Sequence, residues 1–172
     1  LVMSSLEQMR TSMACIAGDE WFNDTPLSID NTKDLATVPT AWIHEFGELE
    51  SVTSKQDVSR LKSFITSRSD LFRPAYGRYS VRMQRRCVFV GSSNETDFLR
   101  DPTGNRRFWV IDVTGGKIDL DWVKEHRDQL WAEAVRIYAG GEPVWLSDDN
   151  LVELQGELNA SYLAEDPWSR EV

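Results

Sequence analysis

Three short runs of strand-forming residues constrain the fold of this chain more than any other feature. They are Ala41-Trp42-Ile43-His44-Glu45-Phe46, Arg86-Cys87-Val88-Phe89-Val90-Gly91 and Arg107-Phe108-Trp109-Val110-Ile111-Asp112-Val113. Aromatic and β-branched residues recur in each run, so the first reads as a buried strand and the other two as strands. Between and after them the apolar residues recur at helical spacing. Ser54 with Asp57 three residues on resembles a capping box, opening a helix with Val58, Leu61, Phe64 and Ile65 on one face. Leu120, Val123, Leu130, Trp131, Ala134, Val135 and Tyr138 form a second stripe, ended by Gly140-Gly141. Ser147 is placed to cap a last helix running to about Ala164. Strands alternating with helices predict an α/β three-layer sheet.

The rest of the chain fits one domain around that frame. Residues 4–17 predict a helix that stops at Gly18. Glu20-Trp21-Phe22-Asn23-Asp24 is an aromatic pair closing on turn formers, and Asp30-Asn31 is placed to cap a short helix ending before Pro39. Residues 66–80, rich in Ser, Arg, Pro and Gly, predict a loop. The expected division is an N-terminal helix over 1–17, an α/β core over 18–118 and C-terminal helices over 119–172.

Composition narrows the setting. A hydrophobic share of 41%, with seven Trp and seven Phe, indicates a packed core and not a disordered tail. Two cysteines exclude a disulfide scaffold, and two isolated histidines argue against a zinc site. A reducing cytoplasm is the expected compartment. No apolar run approaches the ~20 residues of a membrane span, and Leu1-Val2-Met3 resembles no secretory signal. A first residue other than Met is expected of a piece cut from a longer protein. The net charge of −9 is unevenly spread: residues 55–107 hold twelve basic and five acidic side chains, an excess of +7, which leaves −16 on the remainder. That asymmetry describes a basic surface on an acidic body, and equally a set of solvated arginines.

Candidate chemistry gathers at the strand ends. Glu45 and Glu48 follow the first strand, at the carboxyl edge where α/β sheets place ligands. One such carboxylate can hold magnesium while the other polarises an attacking water; a solvated strand end carries the same pattern. Asn94 ends the second strand, as a water-orienting amide beside a γ-phosphate or as a turn former. Asp101-Pro102-Thr103-Gly104-Asn105 turns the chain and delivers Arg106 and Arg107, two guanidinium groups suited to bidentate phosphate contact. Lys62, Arg68, Arg73, Arg78, Arg82, Arg85 and Arg86, with Tyr76 and Tyr79 interleaved, suit a nucleic-acid backbone and its bases, or a subunit interface.

Together these pieces resemble the virulence-associated protein E family of phage and mobile genetic elements. The resemblance runs from about Gly18 to Val172. It is carried by Glu20-Trp21-Phe22, Trp42-Ile43-His44-Glu45-Phe46-Gly47-Glu48-Leu49, Lys62-Ser63-Phe64-Ile65-Thr66, Asp70 and Arg73-Pro74-Ala75-Tyr76-Gly77. Cys87-Val88-Phe89-Val90-Gly91-Ser92-Ser93-Asn94, Gln129-Leu130-Trp131-Ala132-Glu133-Ala134 and Asp166-Pro167-Trp168 add to it. The tightest block is Phe98-Leu99-Arg100-Asp101-Pro102-Thr103-Gly104-Asn105-Arg106-Arg107-Phe108-Trp109.

The resemblance implies a P-loop NTPase of the superfamily 3 helicase kind, related to AAA+ ring ATPases and often fused to a primase. It implies ATP and Mg2+ as cofactors, DNA as partner, single-stranded in particular, and a homo-oligomeric ring in the parent protein. Glu45 and Glu48 correspond to the Walker B acids, Glu45 being the magnesium candidate. Asn94 corresponds to the sensor, and Arg106 or Arg107 to the arginine finger. The family's phosphate loop belongs about ten residues before Trp21-Phe22, where this chain has Gln8-Met9-Arg10-Thr11, without glycine or lysine. No triphosphate is wrapped by such a segment. The expectation is therefore a partial P-loop NTPase fold with a C-terminal helical part: an ATPase/helicase-domain fragment, inactive alone. The alternative is a non-catalytic nucleic-acid-binding or oligomerisation module that keeps the fold.

Overall fold

A computed structural model of the chain describes residues 5–46, 55–93, 107–111, 113 and 116–163. It is mixed α/β. In chain order the elements are α1 (Ser5–Ala17), β1 (Phe22–Asn23), α2 (Thr32–Leu35), β2 (Ile43–Phe46), α3 (Lys55–Ile65), β3 (Ser69–Phe72), β4 (Val81–Gln84), β5 (Val88–Gly91), α4 (Leu120–Ala139) and α5 (Asp149–Ser161). Short 3-10 turns at Asp19–Trp21 and Val38–Thr40 lead into β1 and β2.

β2 is the middle of a three-stranded parallel sheet ordered β1-β2-β5, with Phe22 beside Ile43, and Ile43, His44, Glu45 and Phe46 beside Val88, Phe89, Val90 and Gly91. A central parallel strand is covered on both faces, and Ile43, His44 and Glu45 are all buried. The core gathers there, with Val38, Ala41, Val58, Leu61 and Phe72 around it. Phe46, Phe64 and Phe89 pack ring to ring at centroid distances of 5.2–6.2 Å. Trp42 stacks on Trp21 at 4.9 Å and meets the edge of Trp131 at 5.6 Å, tying the sheet to α4.

α1 ends as its sequence predicts. Gly18 takes φ 90° and donates from its N–H to the Ala14 carbonyl at 2.8 Å; a Cβ there would lie 2.9 Å from Arg127 Nη2. The terminal carbonyls of α1 are then satisfied by α4. Arg127 donates to Ile16 O and Ala17 O at 3.1 and 3.0 Å, and Trp131 Nε1 donates to Ile16 O at 2.8 Å. Arg127 and Trp131 stand four residues apart, on one face of α4.

Several expectations are corrected. Phe22–Asn23 is a strand, because Trp42 N–H bonds to Trp21 O at 2.8 Å and draws the segment beside β2. The predicted loop 66–80 contains β3, which pairs antiparallel with β4. The predicted strand 107–113 pairs with nothing among the described residues; Trp109, Ile111 and Val113 are exposed, and β-propensity without a neighbouring edge makes no strand. The last helix is capped by Asp148 and not by Ser147, since Asp148 Oδ1 accepts from the Asn150 and Leu151 N–H groups. α4 buries no residue fully, and Leu130, Val135 and Tyr138 of its apolar stripe face solvent.

Candidate functional site

Glu45 sits near the carboxyl end of the central strand, where the sheet predicts ligand chemistry, but its side chain is only 3% exposed. Its Oε2 accepts from Arg10 Nε at 2.7 Å. Arg10 lies on α1, in the stretch where the resemblance places a phosphate loop, and its own side chain is 47% exposed. The Glu45 hydrogen bond, and then its charge, push the Arg10 guanidinium above its ordinary pKa. A helix with an arginine thus supplies positive charge at the acid, where a loop would supply lysine and backbone N–H groups.

A cation reaching Glu45 Oε2 would have to displace Arg10. Glu48, the second implied acid, lies outside the described residues, and among the described residues no group of three or more His, Cys, Asp or Glu side chains gathers as a metal site. Beside Glu45, His44 is buried, with Nε2 2.9 Å from the Val38 carbonyl. Burial lowers its pKa, so the imidazole is neutral with Nε2 donating.

A second buried charge lies against the Phe64 and Phe89 rings. Arg85 forms a bidentate pair with Asp70: Nε donates to Oδ2 at 2.9 Å, and Nη2 to Oδ1. Nη1 donates to the Phe64 carbonyl, and the guanidinium lies 4.3 and 5.1 Å from the Phe64 and Phe89 ring centroids. Both side chains are 5–6% exposed. Asp70 is in β3 and Arg85 directly follows β4, so the pair fastens the base of the hairpin to α3 and β5. Cys87, half-buried next to it, is raised in pKa chiefly by burial and stays a thiol.

Beyond this anchor Phe72 of β3 packs into the core, while β4 and the tip face solvent. β4 is exposed at all four positions. Arg68, Arg73, Arg78, Arg82 and Arg86 are exposed, as are Tyr76 and Tyr79. At the tip Gly77 N–H bonds to Pro74 O at 2.9 Å, and Arg73 Nε donates to Gly77 O at 2.7 Å. Arg78 lies over the Tyr79 ring at 5.6 Å. The arrangement gives cationic and aromatic groups on a rigidly rooted arm, which suits an anionic chain bearing flat faces.

The sequence profile of the Virulence-associated protein E-like domain matches residues 8–163. The chain belongs to this family. Comparison with curated proteins gives no match. The virulence-associated protein E-like match takes in Arg10, Glu45, the hairpin and both C-terminal helices. Of the residues to which the resemblance gives nucleotide chemistry, Glu48, Asn94 and Arg106 lie outside the described residues, and Arg107 is exposed at the start of the 107–111 segment. That segment is held by Asn159 of α5, whose Nδ2 donates to Phe108 O at 3.2 Å.

Of the residues grouped for nucleic acid, Arg68, Arg73, Arg78 and Arg86 are exposed, whereas Lys62 and the Arg85 guanidinium are buried and do not join that face. Sequence reasoning did not find Arg10 as the partner of Glu45 or Asp70 as the partner of Arg85. Asp70 carried a signal: it is the lone acid among the arginines of residues 68–86.

Proposed function

We propose that this chain is the ATPase/helicase-like domain of a virulence-associated E-type DNA replication protein of a phage or mobile element. Its core is a partial P-loop NTPase sheet, and by itself it binds single-stranded DNA without turning over ATP. The observation that carries the reading is the solvated hairpin, whose exposed ionic groups are all arginines and whose tip is tyrosine and arginine. The −16 carried by the chain outside residues 55–107 repels phosphate and so directs DNA to this arm. Glu45 closed by Arg10 supports the non-catalytic half of the reading. In a homo-oligomeric ring of the parent protein, Arg106 or Arg107 reaches a neighbour's nucleotide.

Fluorescence anisotropy of a labelled single-stranded oligonucleotide tests the DNA half, without nucleotide, at ~50 and ~200 mM salt. Binding at low salt that weakens at high salt is expected; no binding, or affinity indifferent to salt, overturns the reading. Calorimetry with a magnesium-ATP analogue is expected to give no heat of binding, and a one-to-one isotherm removes the closed-site account.

A further inference from the structure

The tip of the hairpin contains the one non-glycine residue with positive φ among the described residues, Tyr76 at φ 64°. It stands third in the four-residue turn 74–77, closed by the Gly77 N–H to Pro74 O bond. Glycine and asparagine favour such a position; a bulky ring there is held against the preference of its own backbone. Arg73 ties the turn a second time through Gly77 O, and a Cβ on Gly77 would meet Pro74 O at 3.0 Å, so the turn is fixed.

What the strained position achieves is display. The Tyr76 side chain is fully exposed, and it touches no other ring among the described residues. Tyr79 differs, since Arg78 covers one of its faces. The exposed apolar residues of the hairpin, Leu71, Val81 and Met83, lie on its strands, whereas the tip offers only arginine, tyrosine and small residues. The single acid of the region, Asp70, is consumed inside by Arg85. A partner for this tip has negative charge and flat π faces not already stacked on neighbours.

We infer that the turn 74–77 is a preformed stacking platform on which Tyr76 takes an unpaired base of single-stranded nucleic acid. The inference rests on the DNA-binding reading and adds the contact that selects an unstacked base. Duplex bases are already stacked face to face, so the ring discriminates against duplex, while the surrounding arginines hold either form by its phosphates.

The test separates stacking from charge with three probes: a single-stranded oligonucleotide, an abasic strand of equal length, and a duplex. Each is titrated against the wild-type chain, Tyr76→Phe and Tyr76→Gly. The wild type and Tyr76→Phe are expected to prefer the base-bearing strand over the abasic one by roughly tenfold to a hundredfold. Tyr76→Gly is expected to lose that preference and keep its affinity for the abasic strand, with Tm unchanged or raised because glycine relieves the backbone. A wild type that binds strand and abasic strand equally, or a Tyr76→Gly variant that still prefers bases, overturns the inference and leaves arginine-mediated DNA binding standing. A wild type that binds none of the three probes removes both. Loss of Tm in Tyr76→Gly identifies the ring as a packing element and also overturns it.

Discussion

Replacing Arg10 with Met keeps the length and helix preference of α1 and removes the only charge that reaches Glu45 Oε2 among the described residues. A carboxylate left alone in a buried site costs about 3–5 kcal/mol when its partner is lost. Two features of the structure lower that figure. Arg10 is itself 47% exposed, so water can follow the side chain out, and the interaction is a single 2.7 Å bond and not a bidentate pair. A charge-assisted hydrogen bond of this kind contributes about 1.5–3 kcal/mol, and the lower half of that range is expected here. Urea denaturation followed by tryptophan emission reads the change, with Glu45→Gln and the double variant completing a cycle. Because the Glu45→Gln amide is neutral, the double variant is expected to regain most of the loss, giving a coupling energy of about 1–2 kcal/mol. A coupling below about 0.3 kcal/mol refutes the claim that Arg10 is the counter-ion of Glu45.

Two further outcomes follow from the buried groups. Asp70→Asn leaves Arg85 charged and enclosed, and is expected to destabilise the chain by about 3 kcal/mol in chemical denaturation; a loss under about 1 kcal/mol contradicts the anchoring role. Burial lowers the His44 pKa below the ~6.5 it regains on unfolding. The unfolded chain therefore binds more protons as pH falls below about 6.5, and stability is lost with acidification in that window. Denaturation midpoints at pH 7.5 and 5.5 are expected to converge in His44→Gln relative to the wild type, and an unchanged pH slope refutes the assignment.

The strands β2 and β5 were legible from Trp42, Ile43, Phe46, Val88, Phe89 and Val90, their parallel pairing was not, and α3 was legible from Val58, Leu61, Phe64 and Ile65. The partners were not. Arg10 meets Glu45 across 35 positions, and nothing in Gln8-Met9-Arg10-Thr11 marks it as a counter-ion. The hairpin escaped because Ser69-Asp70-Leu71-Phe72 is too polar to read as a strand; its pairing is stabilised by the distant Arg85 and two aromatic rings. The run 107–113 failed the other way: its propensity is high, but a strand needs an edge to join. Tyr76 was visible as an aromatic among arginines, and its backbone conformation was not. Ser147 and Asp148 are both capping residues, and only geometry chooses between them.

The central claim, that DNA is held by the hairpin's exposed arginines, is tested most directly by the salt dependence of single-strand binding in Arg78→Ala/Arg82→Ala beside the wild type. Each lost phosphate contact lowers the slope of log K against log salt by about 0.7, so a drop of about 1.4 is predicted with Tm unchanged. An unaltered slope places the DNA elsewhere on the chain and contradicts the account.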